Sequence, residues 1–150
     1  MIRIICVGKI KENYFKDAIM EYKKRLSKYT KIEIIEINDV DYDIKTTIRK
    51  ESNEILKLMN SSDYNIVLDI NGKELDSISL AKKINDIFIS KSTITFIIGG
   101  SYGIDDIVKE KCDFRLSFSK MTFPHQLFRV ILLEQLYRSF KILNNEEYHK

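Results

Sequence analysis

Apolar and polar positions switch between two periods along the 150 residues, and the switching predicts alternating strands and helices. Met1 to Val7 (MIRIICV) is short, rich in β-branched residues and closed by Gly8, which predicts a buried strand. Phe15, Ala18, Ile19, Tyr22, Leu26 and Tyr29 then recur at helical spacing, with Lys16, Lys23, Lys24 and Arg25 on other faces. Lys31 to Ile37 reads as a second strand, Asn38 to Asp43 as an acidic turn, and Ile44, Ile48, Ile55 and Met59 mark a second helix. Asn65 to Ile70 is a third strand, ended by Asn71-Gly72, and Ser77 is the expected cap of a helix with Ala81, Ile84 and Phe88 on one face. Thr93 to Ile98 (TITFII) is the most uniformly apolar run, which predicts a central strand in a sheet covered on both faces. Gly99-Gly100-Ser101-Tyr102-Gly103 leads into a short helix from Ile104 to about Lys111, and Phe114 to Phe118 is a fifth strand. A long helix follows from near Phe123 to about Ile142. Pro124, the only proline, suits its first turn, where a missing N–H has no helical partner to lose.

This order predicts an α/β fold, a mostly parallel sheet flanked by helices. With no repeat, low-complexity tract or linker, residues 1–150 read as one domain. Hydrophobic residues make up 44% and charged residues 31%, the balance of a soluble globular protein. Lysines and arginines exceed acids by 25 − 22 = 3, an excess that permits nucleic acid as a partner without demanding it. Cys6 and Cys112 sit far apart among apolar residues and read as buried reduced thiols. With no CxxC and two histidines, no metal site is expected. No signal peptide opens the chain and no apolar run reaches the ~20 residues of a membrane helix. A cytoplasmic location is therefore expected.

All five glycines fall at or just after the carboxyl ends of predicted strands, the edge where open parallel sheets bind ligands. The GGxxG spacing of Gly99, Gly100 and Gly103 is neither the dinucleotide fingerprint nor a Walker loop, and a tight turn without a ligand explains it equally well. The last helix is apolar nearly all round, from Leu127 to Phe140. One sheet face cannot bury such a surface, so a two-fold homodimer through this helix is expected, the alternative being a helix sandwiched within one chain. Between the fifth strand and this helix lies the segment LSFSKMTFPHQLFR, Leu116 to Arg129, a polar loop between apolar runs and a candidate site.

Phe118 to Gln126 (FSKMTFPHQ), with Arg129 and Glu134-Gln135-Leu136-Tyr137-Arg138, resembles the bacterial ribosomal RNA large subunit methyltransferase H family. The likeness extends through Val7-Gly8-Lys9, Leu68 to Lys73, Ile98-Gly99-Gly100 with Gly103, and Tyr148-His149-Lys150. That family methylates N3 of a pseudouridine in helix 69 of 23S rRNA on the assembled ribosome, and belongs to the knotted SPOUT superfamily. The resemblance implies a C-terminal trefoil knot, a homodimer, and S-adenosylmethionine as methyl donor. It assigns the donor to Leu68, Gly99 and the run Phe118, Ser119, Lys120, Met121, Thr122 and Phe123, the same edge that the glycines indicate. It also implies that the tail completes the active site of the other subunit. The short Asn38 to Lys45 connection departs from the family pattern and bears on ribosome contacts.

Methyl transfer from a sulfonium needs alignment more than covalent help, but the pseudouridine N3 must lose a proton. His125, Arg129, Arg138, Tyr148 and His149 are the candidate catalytic residues. His125 can equally bond to backbone, and Glu134 and Arg138, four apart, can simply pair with each other. A Ser119–Lys120 hydrolase lacks an oxyanion loop and a third partner. Lys9, Lys11, Lys23, Lys24 and Arg25 are a solvated surface or an RNA footprint. The rival reading is a non-catalytic RNA- or nucleotide-binding α/β module.

Overall fold

A computed structural model describes residues 1–150. The elements are β1 (Ile2–Val7), α1 (Asn13–Leu26), β2 (Ile32–Ile37), α2 (Ile44–Leu58), β3 (Tyr64–Glu74), α3 (Ser77–Ser90), β4 (Ile94–Ile98), α4 (Asp106–Glu110), β5 (Phe114–Ser117) and α5 (His125–Leu143). The strands form one sheet in the order β2-β1-β4-β3-β5, and every pairing is parallel. Five buried residues in a row place β4 at the centre, as its uniform apolarity predicts. Alternate residues of β1 enter two cores: Ile2, Ile4 and Cys6 lie under α1, α3 and α5, while Ile5 and Val7 lie under α2 and α4. Both cysteines are free, and burial pushes the Cys6 thiol up to about 12. No helix is long and apolar enough to cross a membrane.

The amino end of the sheet is held by charge. Arg3 donates to Glu33 at 2.7 Å and to the buried Asp63 at 2.9 Å, and the Thr95 hydroxyl donates to Asp63 at 2.8 Å. One side chain thereby ties β1 to β2 and to the entry of β3, with β4 joined through Thr95.

Several expected boundaries move, each for a local reason. Asp76, not Ser77, caps α3, accepting the Ser79 N–H at 2.7 Å, because the shorter chain of Ser77 is one position inside the helix and donates to Gln135 instead. Helix α4 starts at Asp106, capped by Asp105, and leaves Ile104 to the core. Helix α5 starts at His125; Pro124 is its cap, and the Pro124 carbonyl accepts the Phe128 N–H at 2.9 Å.

Asn71-Gly72 does not end β3. Leu68 and Lys73 both lie opposite Leu116, so residues 69–72 bulge out of the ladder and the strand resumes beyond them. Gly72 therefore sits inside a strand, against the backbone of β5, where an added Cβ would come within 2.7 Å of the Arg115 carbonyl. Helix α5 lies between α1 and α3 in the same core, the alternative placement for its apolar surface, and Leu132, Leu133 and Leu136 are fully buried within one chain. Each such leucine contributes about 2 kcal/mol of burial. Leu127, Val130 and Ile131 stay half-buried.

Gly72→Ala should cost on the order of 2 kcal/mol or more, because backbone cannot yield to the new methyl. Gly103→Ala meets nothing within 4 Å and faces only its φ of +92°, a cost of about 1 kcal/mol. Urea denaturation of the two variants checks the ranking.

Candidate functional site

Four stretches from the carboxyl end of the sheet enclose a cleft of about 390 Å³. The β3 bulge forms one wall, the loop from Ile98 to Ile104 a second, the loop after β5 a third, and His125 with Phe128 of α5 closes it. Of the residues expected to hold a methyl donor, Leu68, Gly99, Phe118, Ser119, Met121, Thr122 and Phe123 line this cleft, and Lys120 does not. The loop after β5 is shaped by its own polar groups. Ser117 Oγ donates to the Ser119 carbonyl at 3.1 Å, and Ser119 Oγ accepts the Met121 N–H at 3.0 Å. Its aromatic residues anchor it, with the Phe118 ring edge-on to Phe128 at 5.1 Å and Phe123 stacked on Phe128 at 6.0 Å. Met121, Ile70 and Tyr102 stand exposed as an apolar rim.

The glycine loop has two separate requirements. An added Cβ at Gly99 would lie 2.4 Å from Ile104 Cγ1, so the loop can fold over Ile104 only without a side chain there. At Gly103 the turn needs a positive φ, and its N–H closes onto the Gly100 carbonyl at 3.1 Å. Main-chain groups of this loop thus face the cleft directly.

His125 is half-buried, with its Nε2 3.0 Å from where a Cβ on Gly8 would be. Burial lowers its pKa, the Arg129 and Lys11 charges lower it further, and Asp39 opposes them. The imidazole is therefore held in its neutral form, able to accept a proton.

Arg129, expected to act on a ligand, is not in the cleft lining. It is 1% exposed, donates from Nη2 to the Gly8 carbonyl at 2.9 Å, and places Nη1 3.5 Å from Glu36. Glu36 also accepts the Ile10 N–H at 3.0 Å, while the Gly8 N–H reaches the Ile37 carbonyl at 2.8 Å. Its guanidinium braces the wall behind His125.

Arg138, Tyr148 and His149 form a second cluster. Glu134 pairs with Arg138 and accepts the Tyr148 hydroxyl at 3.1 Å. The Arg138 guanidinium lies 4.8 Å over the Tyr148 ring and 3.2 Å from His149 Nδ1. Burial, then Glu134, pushes the Tyr148 phenol up to about 12. The tail is packed rather than free. Asn145 turns the chain at φ +54°, the Glu146 N–H returns to the Lys141 carbonyl, and the Tyr29 hydroxyl donates to Glu146. Thirteen helical positions separate His125 from Arg138, roughly 20 Å along α5 at ~1.5 Å per residue. The expected catalytic residues are thus divided between two places on one chain, although His149 reaches a groove that shares Leu116 and Phe118 with the cleft.

Residues 1–149 match the family described as "Predicted SPOUT methyltransferase". A Methanococcus vannielii protein named putative ribosomal RNA large subunit methyltransferase H is 57% identical over 157 residues, across 99% of each chain. An Acetivibrio thermocellus protein named ribosomal RNA large subunit methyltransferase H is 50% identical, again across 99% of both. Among solved structures, a probable methylase family protein from Haemophilus influenzae superposes with a TM-score of 0.60 over 99% of this chain and 70% of its own. At 13% identity that is a likeness of fold.

Beside the cleft lies a group that the sequence reading passed over. Glu51 falls between Ile48 and Ile55 on the apolar stripe of α2, a position from which its burial was legible. It is 3% exposed; Oε1 accepts the Val40 N–H at 3.3 Å, and Oε2 has no partner. Burial raises its pKa, so the folded chain binds more protons here than the unfolded chain does above the ordinary carboxylate value. The resulting penalty is absent at acid pH and grows as pH rises. Glu51→Gln keeps an acceptor for Val40 and should gain stability relative to the parent as pH rises from acid through the ordinary carboxylate range to neutrality. Thermal unfolding across that range measures it.

Proposed function

The chain belongs to the SPOUT methyltransferases, within the ribosomal RNA large subunit methyltransferase H family, and on that footing we propose that it methylates N3 of a pseudouridine in helix 69 of 23S rRNA from S-adenosylmethionine. The observation that carries this reading is the cleft, where the bulge of β3 and the loops after β4 and β5 meet over about 390 Å³. Its residues fit the donor. Leu68, Ile98, Leu116 and Phe118 offer apolar walls to a purine, and Gly99 to Gly103 leave main-chain groups open to its polar edge. Bound there, the donor supplies an electrophilic methyl on a sulfonium and leaves as a neutral thioether.

The protein then has two tasks, to position the base and to manage its proton. Neutral His125, at the cleft wall, is the acceptor for the N3 proton. Arg129 positions it by fixing Gly8 behind the ring. The Tyr148 ring, His149 and the Arg138 guanidinium have the stacking and charge that hold an unpaired RNA base and its phosphates. Because Arg138, which holds Tyr148 and His149, lies roughly 20 Å along α5 from His125, a second copy brings the cluster to the cleft, and the protein acts as a cytoplasmic homodimer on the assembled ribosome. The half-buried Leu127, Val130 and Ile131 suit that contact. The return of the chain after β5, between α1 and α3 as α5, supports the family's trefoil knot for this chain.

Tritiated methyl transfer to 70S ribosomes from a strain lacking this modification tests the assignment. Label on 23S rRNA is expected, and unlabelled ribosomes would sink it. Removing Tyr148 to Lys150 should lower transfer at least ~100-fold with donor affinity within about 2-fold of the parent. His125→Asn should lower kcat by roughly 10²-fold. In the parent, the acidic limb of kcat should fall below the ordinary histidine range, and an unchanged limb in the variant would remove His125 from proton transfer.

A further inference from the structure

The cleft contains one lysine and one acid, Lys109 and Asp69, and they are neighbours. Their placement has a sequence cause. The β3 bulge turns Asp69 inward, where its side chain is 5% exposed and Oδ1 accepts the Asn71 N–H at 3.1 Å. Helix α4 sends Lys109 to the same wall from the other side of the glycine loop.

The Lys109 ammonium lies 3.5 Å from Asp69 Oδ2 and 4.0 Å from Asp106 Oδ1, with its side chain 19% exposed. Both separations exceed an ordinary N–H···O hydrogen bond. The carboxylates hold the ammonium by charge without using up its three protons. An ammonium kept largely out of water, with donor capacity unspent and facing a cleft, is matched to an anionic group inside that cleft. A neutral lining elsewhere gives such a group no second cation to choose.

We propose that Lys109, aimed by Asp69, binds the carboxylate at the amino-acid end of the methyl donor. The inference rests on the donor reading above and adds a charged side-chain contact to the apolar walls and main-chain groups assigned to the donor there. It gives the cleft a means of telling a complete amino-acid sulfonium from one lacking its carboxylate. An RNA phosphate is the other anion near at hand, but Lys109 lies within the cleft wall, whereas phosphates would approach from outside the rim.

Calorimetry on the full chain with S-adenosylhomocysteine and its decarboxylated counterpart tests the contact. The parent should bind the carboxylated ligand at least ~10-fold more tightly, the scale of a charge-assisted hydrogen bond. Lys109→Met should bring the two affinities within about 2-fold, and Lys109→Arg should retain most of the difference. A parent that binds both ligands equally, or a Lys109→Met variant that still discriminates, overturns the proposal. So does a variant whose only defect is a raised KM for ribosomes, which would assign Lys109 to phosphate. If the parent binds neither ligand, the donor reading itself has failed. Should Lys109→Met not fold because Asp69 loses its counter-charge, the double variant Lys109→Met, Asp69→Asn carries the same comparison.

Discussion

A guanidinium cannot be taken out of water without partners, and the position of α5 follows from where Arg129 finds them. They are the Gly8 carbonyl at the end of β1 and Glu36 near the end of β2, both far from Arg129 in sequence. With the group fully buried, the first turn of α5 has little freedom to slide or rotate. His125 is then set against Gly8, and Phe128 meets Phe118 and Phe123. One buried charge thus couples the last helix to the first strand and, through that helix, closes the cleft.

The two ends of the sheet are built on different physics. At the amino end, Arg3, Glu33, Asp63 and Thr95 satisfy one another, and the strands start in close register. At the carboxyl end the ladder is deliberately incomplete. The bulge at residues 69–72 breaks the β3–β5 pairing, and the glycine loop after β4 leaves the sheet over Ile104. Each interruption removes inter-strand hydrogen bonds and exposes main-chain groups, and each borders the cleft. Rigidity at one end lets the other carry irregular backbone without losing its shape.

The periodic features were legible because they depend on neighbours in sequence. The strand and helix alternation, the central place of TITFII and the edge at which the cleft lies all follow from local pattern. What escaped depends on distant partners. Asn71-Gly72 has the composition of a turn, and only the pairing of Lys73 and Glu74 with β5 makes it a bulge. Arg129 is one turn from the loop and polar, so it resembles a ligand group until Gly8 and Glu36 arrive to bury it. The apolar circumference of α5 left open whether a second chain or α1 and α3 would cover it, because the flanking positions of α1 and α3 are a matter of topology, which periodicity does not encode. Lys120 sits in the matched run yet outside the lining, although both of its neighbours, Ser119 and Met121, line the cleft.

The segment from Leu116 to Arg129 and the tail are joined by a single rigid helix, and this fixes what one chain can do alone. A helix of 19 residues does not shorten, so the neutral imidazole at its start and the arginine–tyrosine–histidine cluster near its end keep their spacing. The tail cannot swing to its own His125 without giving up Tyr29–Glu146, Tyr148–Glu134 and the packing of Tyr148 on Tyr137. A two-fold partner crossing at the half-buried face of α5 would instead carry its cluster toward the cleft with every one of those contacts intact. The spacing that divides the residues within one chain is thus the structural reason to expect them united between two.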